Sequence, residues 1–283
     1  MFQTAGFRVL WVFFLAGVFG CGGVEEMPET SSSLATVEQA ALDPRPPPNG
    51  RNGTRPACFW AHSVQQALRT MGGAALDRGG GQLLSIPLTQ VSQDCREVLR
   101  SAVECALTQD QSVQDPVTGE FYTGWWGLAP SWQSGALDVD GRRYVTGCMV
   151  QRLNYYGTHV PILLEGSHPA IERNATFSSQ YPIMESTAFG DLFSSTTPLL
   201  GILPAFNLYV CWEGLLPQSC GFLGLPLLGQ RLCDDVPLCG LMVLGPCALS
   251  CAQDDGYWKC RPGLLSPSWT QTVRVKLETA TCQ

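Results

Sequence analysis

The sequence has few charged residues and few histidines. Asp, Glu, Lys and Arg make up 14% of its 283 residues, the net charge is −7, and there are three histidines. No run of basic residues is longer than the pair Arg142-Arg143. Binding to nucleic acid depends on clustered cations that neutralise phosphates. The composition therefore argues against a nucleic-acid partner.

Motifs of common hydrolases and metalloenzymes are also missing. The sequence contains no Gly-x-Ser-x-Gly elbow and no His-Glu-x-x-His zinc motif. Cys247 and Cys251 have a spacing that zinc ligands can adopt, but no second close pair follows and no histidine lies beyond His168. No internal repeat indicates a solenoid or propeller. We therefore expect no metal and no cofactor.

Long apolar runs are absent except near the start of the chain. After Arg8, an apolar run covers residues 9–20 and is followed directly by Cys21 and Gly22. The run is shorter than the roughly 20 residues of a membrane-spanning helix and matches a cleaved signal. We interpret residues 1–20 as a lipoprotein signal peptide and Cys21 as the lipidated residue. An ordinary signal peptide with an unmodified cysteine is the alternative.

The next segment, residues 21–56, has the composition of a disordered tether. It is rich in proline, serine and glycine and offers little apolar surface to bury. A flexible chain of about 35 residues has an r.m.s. reach of roughly 30–35 Å. Because Gly22 is not an aspartate, we expect a lipid anchor in the outer membrane, facing the periplasm or the cell surface. Residues 57–283 are then the folded domain, and residues 210–283 could form a cysteine-rich subdomain of it.

Cysteine, by contrast, is abundant. Without Cys21, the thirteen cysteines leave an even number, which in an exported protein predicts a disulfide framework. Cys95 and Cys105 would lie on one predicted helix, about 15 Å apart, so they should have different partners. The other pairings stay open. The predicted disulfide cysteines are Cys58, Cys95, Cys105, Cys148, Cys211, Cys220, Cys233, Cys239, Cys247, Cys251, Cys260 and Cys282.

The spacing of apolar residues indicates an α+β fold. Helical spacing predicts helices near residues 59–71, 90–106 and 145–156. Period-two alternation predicts strands over 158–165, 206–213 and 270–278, and the aromatic stretch 112–128 is typical of a hairpin. In the last strand, Arg274 and Lys276 are expected to face solvent. We therefore expect two or three helices packed on antiparallel strands, with a disulfide-rich C-terminal third.

Several residues in predicted loops are candidates for catalysis. Two carboxylates held about 5–10 Å apart can hydrolyse a glycosidic bond, and loops that follow strands often hold functional groups. The candidates are Glu165, His168, Glu185 and Asp191. For His168 the alternative is a structural role in its loop. Cys58, at a possible helix start, is a candidate nucleophile, with a disulfide as the alternative.

Three tryptophans are candidates for ligand binding. Trp125 and Trp126 lie in the aromatic stretch Phe121–Trp126, and this stretch, with Trp132, could form a platform on which a sugar stacks. Aromatic strands also commonly build the core, which is the alternative. Carbohydrate and protein both remain open as partners.

The middle of the chain resembles a group of exported proteins of myxobacteria. The resemblance covers roughly residues 95–260. It implies export and the spaced cysteines of the later part, but it assigns no catalytic residue. The segments that carry it are Gly127–Trp132, Arg143–Asn154, Tyr156–Ile162, Gly166–Ala170 and Glu185–Phe193.

These observations favour a surface lipoprotein whose disulfide-stapled domain binds or scaffolds something outside the membrane. The alternative is an exported hydrolase that acts on envelope or prey polymers. The two hypotheses differ in what the four candidate side chains should do. A hydrolase needs two of them together in one cleft, whereas a binding protein does not.

Overall fold

The computed structural model describes residues 49–51, 53–77, 81–83, 89–155, 160–194, 208–214, 228, 231–233, 239–263 and 266–278. All of them belong to one compact unit, residues 43–283. The predicted signal peptide, Cys21, Cys220 and Cys282 lie outside the described residues. Within these ranges, no helix is both long enough and apolar enough to cross a bilayer.

The three long helices lie in the first 151 residues of the chain, and most of the described strands follow them. Among the described residues the helices are α1 (Pro56–Phe59), α2 (His62–Gly72), α3 (Arg96–Ala106), α4 (Val139–Gln151), α5 (Ala175–Gln180) and α6 (Cys247–Ser250). The strands are β1 (Asn49–Arg51), β2 (Ser112–Gln114), β3 (Phe121–Thr123), β4 (Pro161–Glu165), β5 (Ile183–Gly190), β6 (Leu208–Trp212), β7 (Leu241–Pro246), β8 (Cys251–Asp254), β9 (Tyr257–Cys260) and β10 (Val273–Leu277). The three long helices α2, α3 and α4 correspond to the predicted ones.

A six-stranded sheet forms the centre of the molecule. Its strand order is β1-β4-β10-β5-β6-β7. Adjacent strands in this sheet are antiparallel, except for β6 and β7, which are parallel. Strands β2 and β3 form a separate hairpin, as do β8 and β9. The α+β prediction is confirmed. Strand β1 lies within the segment expected to be a tether, so the folded part begins before residue 57.

One face of the sheet packs against α4. The helix starts at Asp138, whose carboxylate accepts a hydrogen bond from the Gly141 amide at 2.6 Å and so caps the first turn. Gly147 faces β10 at close range, because a Cβ atom there would lie 2.7 Å from Cγ2 of Val273. Val145 and Met149 of the same helix are almost fully buried in the main core. The absence of a side chain at Gly147 therefore lets the helix approach the sheet.

The opposite face of the sheet is also covered, in part by α5. The expectation that the polar residues of β10 face solvent is therefore wrong. Arg274 and Lys276 were predicted to face solvent, but they are only 5% and 8% exposed. The Lys276 ammonium donates to the Ser178 hydroxyl of α5 at 2.6 Å. Arg274 donates to both carboxylate oxygens of Glu213 at 2.7 Å. The two cations are buried because carboxylates and hydroxyls satisfy them there.

Disulfides link the elements in both halves of the domain. The bonded pairs among the described residues are Cys58–Cys95, Cys105–Cys148, Cys211–Cys247, Cys233–Cys239 and Cys251–Cys260. The prediction that Cys95 and Cys105 have different partners is confirmed. Cys58 is bonded, so the alternative of a nucleophilic thiol at this position is wrong. Cys105–Cys148 joins α3 to α4, and Cys211–Cys247 joins β6 to α6.

Candidate ligand-binding groove

Glu165, the first catalytic candidate, is a buried partner of cations. Its carboxylate is 1% exposed and accepts a hydrogen bond from the Ser178 hydroxyl at 2.5 Å. Nitrogens of Arg173, Arg274 and Lys276 each lie 3.6 Å from it. The carboxylate is thus enclosed by donors that offset its desolvation. Its contacts indicate a structural role.

Glu185 and Asp191 are engaged in two other places. Glu185 accepts a hydrogen bond from Arg231 at 2.7 Å, and the same guanidinium donates to the Gln151 carbonyl at 3.3 Å. Asp191 lies 3.3 Å from Arg142 and accepts two backbone N–H bonds in the turn that follows it, at 3.0 and 3.1 Å. Both carboxylates therefore fix local structure.

His168 closes a short turn beside α4. Its Nδ1 accepts a hydrogen bond from the Ala170 amide at 3.1 Å, which caps the 3₁₀ turn Pro169–Ile171. The ring packs edge-on against Tyr144, with 4.9 Å between ring centroids. Burial lowers the pKa of His168, because it disfavours the charged imidazolium. Each of the four candidates has its own partners, and none of the four lines the open groove described next.

An open groove of about 920 Å³ offers a different site. It runs between α3, the β2–β3 hairpin and β4, and Gly50 of β1 forms part of its wall. The charged and the solvent-exposed aromatic side chains that line it are Arg100, Glu104, Glu120, Phe121, Trp125 and Arg152. We call the groove that they line the aromatic groove. Concave sites that combine apolar rings with a few polar groups are the usual places for ligands.

The end of α3 positions the two tryptophans of the aromatic groove. The backbone amides of Trp125 and Trp126 both donate to the Glu104 carbonyl, at 3.0 and 2.9 Å. The amides of the next residues donate to other carbonyls in and just after the last turn of the helix. These bonds satisfy carbonyls that a helix end leaves without an intrahelical partner. A Cβ at Gly124 would lie 2.3 Å from the Leu107 carbonyl carbon, so this path needs glycine there.

The predicted tryptophan platform is only partly realised. Trp125 is 37% exposed and Phe121 is 62% exposed, so two rings are open to solvent in the aromatic groove. Trp126 is 2% exposed and forms the floor of the groove. Trp132 is fully buried and donates from its indole to the Met71 carbonyl at 3.1 Å. The prediction of a binding role for Trp132 is therefore wrong, because this ring belongs to the core.

Two arginine–glutamate pairs surround the open rings. Arg100 pairs with Glu120 near the rim, and Arg152 pairs with Glu104 deeper in the groove. The Arg152 guanidinium also lies 5.1 Å from the centre of the Trp126 ring, a cation–π distance. The positive charges of the two arginines balance the negative charges of the two glutamates. The aromatic groove thus has polar groups of both signs and no excess charge from these pairs.

Sequence reasoning included Phe121 in the aromatic stretch that could form a platform, but it missed the four charged residues of the groove. Alternation along β3 exposes Phe121 and buries Tyr122. The charged residues come from α3, from the turn that precedes β3 and from the end of α4, and these three segments are distant in sequence. Their pairing depends on how these elements pack.

A cluster of sulfurs lies apart from the aromatic groove. Sulfurs of Cys211, Cys251 and Cys260 all lie within 4.8 Å of one another. Each of the three is bonded in a disulfide. Metal ligation by cysteine requires a thiolate, so the bonded sulfurs do not form a zinc site.

The comparisons with known proteins found no match for this chain. The chain matches no protein-family profile, no curated protein and no solved structure. The aromatic groove and the sequence signals are therefore the grounds for a functional proposal.

Proposed function

We propose that this chain is a lipid-anchored protein of the bacterial outer membrane that binds a ligand in the aromatic groove. The observation that carries the proposal is that two solvent-exposed rings, Trp125 and Phe121, line one concave surface. Exposed aromatic surface in a concave site is typical of ligand binding. The apolar run before Cys21 supports the anchor, facing the periplasm or the cell surface. The resemblance to exported myxobacterial proteins supports membership of that group.

Binding is favoured over hydrolysis by the state of the acidic residues. Hydrolysis of a sugar needs one carboxylic acid and one carboxylate flanking the bond. In the aromatic groove, the carboxylates of Glu104 and Glu120 are each held in an ion pair with an arginine. The predicted candidates Glu165, His168, Glu185 and Asp191 have partners elsewhere in the fold. The groove therefore has the groups to hold a ligand, and each of its two carboxylates already has an arginine as its partner.

The proposal is tested with the full-length lipoprotein in detergent and isolated cell-envelope polymers. We expect the protein to co-sediment with an envelope fraction, and the double variant Trp125→Ala/Phe121→Ala to weaken binding about tenfold or more, the equivalent of 1.4 kcal/mol. The matched control is Leu249→Ala, which removes a side chain that is 79% exposed and lies outside the groove. Binding that survives the double variant, or that Leu249→Ala weakens equally, would refute the proposal.

A further inference from the structure

The charge pattern of the aromatic groove indicates which class of ligand it takes. We infer that the ligand is an uncharged oligosaccharide, the neutral stretch of a glycan chain. This inference rests on the proposed function, since it concerns the same groove.

Charged ligands are disfavoured by the ion pairs of the groove. Arg100 and Arg152 are each already paired with a glutamate in the groove. An acidic ligand would have to compete with Glu120 or Glu104 for its arginine, and it would lie close to these like charges. A basic ligand would face the two arginines in the same way. A ligand without net charge neither competes for these ion-pair partners nor lies close to a like charge.

The same ion pairs can still form hydrogen bonds with a ligand. A carboxylate has about four acceptor sites and a guanidinium has five N–H donors, so one ion pair leaves capacity on both groups. Arg100 and Glu120 at the rim are 42% and 49% exposed, so a ligand can reach them. A sugar hydroxyl can donate to the carboxylate and accept from the guanidinium at once. Neutral sugars therefore use this pair without breaking it.

The shape of the groove and its exposed rings suit a sugar chain. The faces of a pyranose ring present C–H groups, which pack on flat aromatic rings such as Trp125 and Phe121. Peptide binders that use anchoring side chains bury them in desolvated pockets. The aromatic groove is open and rimmed by ion pairs, and its floor is closed by Trp126. This arrangement fits a glycan chain lying along the groove better than a peptide with anchoring side chains, and polyproline is the peptide to compare, because proline-rich segments dock on aromatic grooves.

The experiment measures binding of defined probes to the full-length lipoprotein by calorimetry and tryptophan fluorescence. The neutral probes are chitohexaose, cellohexaose and maltohexaose; the acidic probe is hexagalacturonate, and the peptide probe is polyproline. We expect at least one neutral probe to bind, with an affinity that changes less than about twofold between roughly 50 and 500 mM NaCl, because no net charge is involved. Trp125→Ala should weaken it by about tenfold.

A charge variant sharpens the test. Glu120→Gln leaves Arg100 without its anion and gives the groove an excess positive charge. We expect this variant to gain salt-sensitive binding of hexagalacturonate, by about tenfold over the wild type. The matched control is Glu97→Gln, which breaks a surface pair with Arg55 (3.0 Å) outside the groove and should bind like the wild type.

The outcomes separate this inference from the proposed function. If the wild type prefers hexagalacturonate or polyproline, or if binding of the neutral probe falls steeply with salt, the inference is wrong. It is also wrong if no neutral probe binds while envelope binding still depends on Trp125. If envelope binding itself is independent of Trp125 and Phe121, the proposed function fails together with it.

Discussion

Trp125 and Trp126 are adjacent in sequence but lie in different environments. One ring is open in the aromatic groove and the other is buried beneath it. We expect Trp126→Ala to lower the free energy of unfolding by about 3–5 kcal/mol, because it leaves a cavity in the core. Trp125→Ala should cost about 1 kcal/mol or less, as at other exposed positions. Urea denaturation of both variants measures the difference, and equal losses would contradict the assigned environments.

A second residue-scale feature is the buried carboxylate of Asp115. It is fully buried, pairs with Arg96, and accepts hydrogen bonds from the Tyr122 hydroxyl at 2.8 Å and the Val117 amide at 2.9 Å. Burial pushes the pKa of Asp115 upward, but these three partners outweigh it and hold the pKa below its ordinary value. A depressed carboxyl pKa stabilises the folded state at pH values above the unfolded pKa, and this contribution is lost as the pH falls through the folded pKa.

The Asp115 site therefore predicts a specific pH dependence. At neutral pH, Asp115→Asn should lower the free energy of unfolding by about 3–5 kcal/mol, because Arg96 is left buried without its anion. The difference from the wild type should begin to shrink below about pH 4, the ordinary carboxyl pKa, and should shrink further as the pH falls through the lower pKa of Asp115 in the folded state. Unfolding curves from pH 3 to 7 test this. A difference that stays constant over that range would show that the Asp115 charge does not contribute.

Sequence patterns predicted the burial of apolar residues better than that of charged ones. Val273, Val275 and Leu277 are buried as their alternation indicated. Arg274 and Lys276 are buried as well, which alternation could not reveal. A period of two shows only that the two faces of a strand differ. Whether the polar face meets water or a second layer depends on α5 and on Glu213, which lie elsewhere in the sequence.

At the scale of elements, the Cys105–Cys148 disulfide holds α3 against α4. It closes a loop of 43 residues, for which chain entropy in the unfolded state predicts about 4 kcal/mol of stabilisation. We expect the variant Cys105→Ala/Cys148→Ala to lose about 2–5 kcal/mol in urea denaturation. Because Glu104 and Arg152 lie at the ends of these helices, ligand binding should weaken too. An unchanged stability would mean that packing alone fixes the two helices.

Strand β1 closes the aromatic groove through a glycine. A Cβ at Gly50 would lie 2.4 Å from Cζ2 of Trp126, so Gly50→Ala forces the strand or the ring to move. We expect it to lower the free energy of unfolding by about 1–3 kcal/mol, as overpacking usually does. The control is Gly135→Ala, where the nearest atom would be 3.7 Å from the new Cβ. Thermal denaturation compares them, and equal melting temperatures would contradict the close contact.

The positions of most helices and strands were predictable from the sequence, but the order of the strands in the sheet was not. Strands β4, β6 and β10 lie within the predicted stretches and helices α2, α3 and α4 overlap theirs, because local apolar periodicity decides them. Helix α4 begins at Val139, six residues before the predicted start at 145, because Asp138 caps it. The sheet order was not predictable, since β10 from the end of the chain inserts between β4 and β5. Such pairing depends on long-range packing rather than on local spacing.

At the scale of the whole molecule, the anchor is open to direct test. We expect the native protein to partition into the detergent phase of Triton X-114 and to carry an acyl mass at Cys21. Under non-reducing conditions, the remaining cysteines should show a mass deficit of about 12 hydrogens, two for each of six disulfides. The Cys21→Ser variant should move to the aqueous phase. An unacylated Cys21, or thiols that react without reduction, would overturn this expectation.

The sequence alone determined the α+β class, the main helices and the separation of Cys95 from Cys105. All three follow from local periodicity and chain geometry. Only the tertiary structure decided the disulfide pairs, the burial of Trp132 and the scattering of Glu165, His168, Glu185 and Asp191. It also brought Arg100, Glu104, Glu120 and Arg152 around Trp125, because these residues meet only when α3, α4 and the β2–β3 hairpin pack together. The physical reason is that spacing along the chain fixes local conformation, whereas a binding site depends on contacts between distant segments.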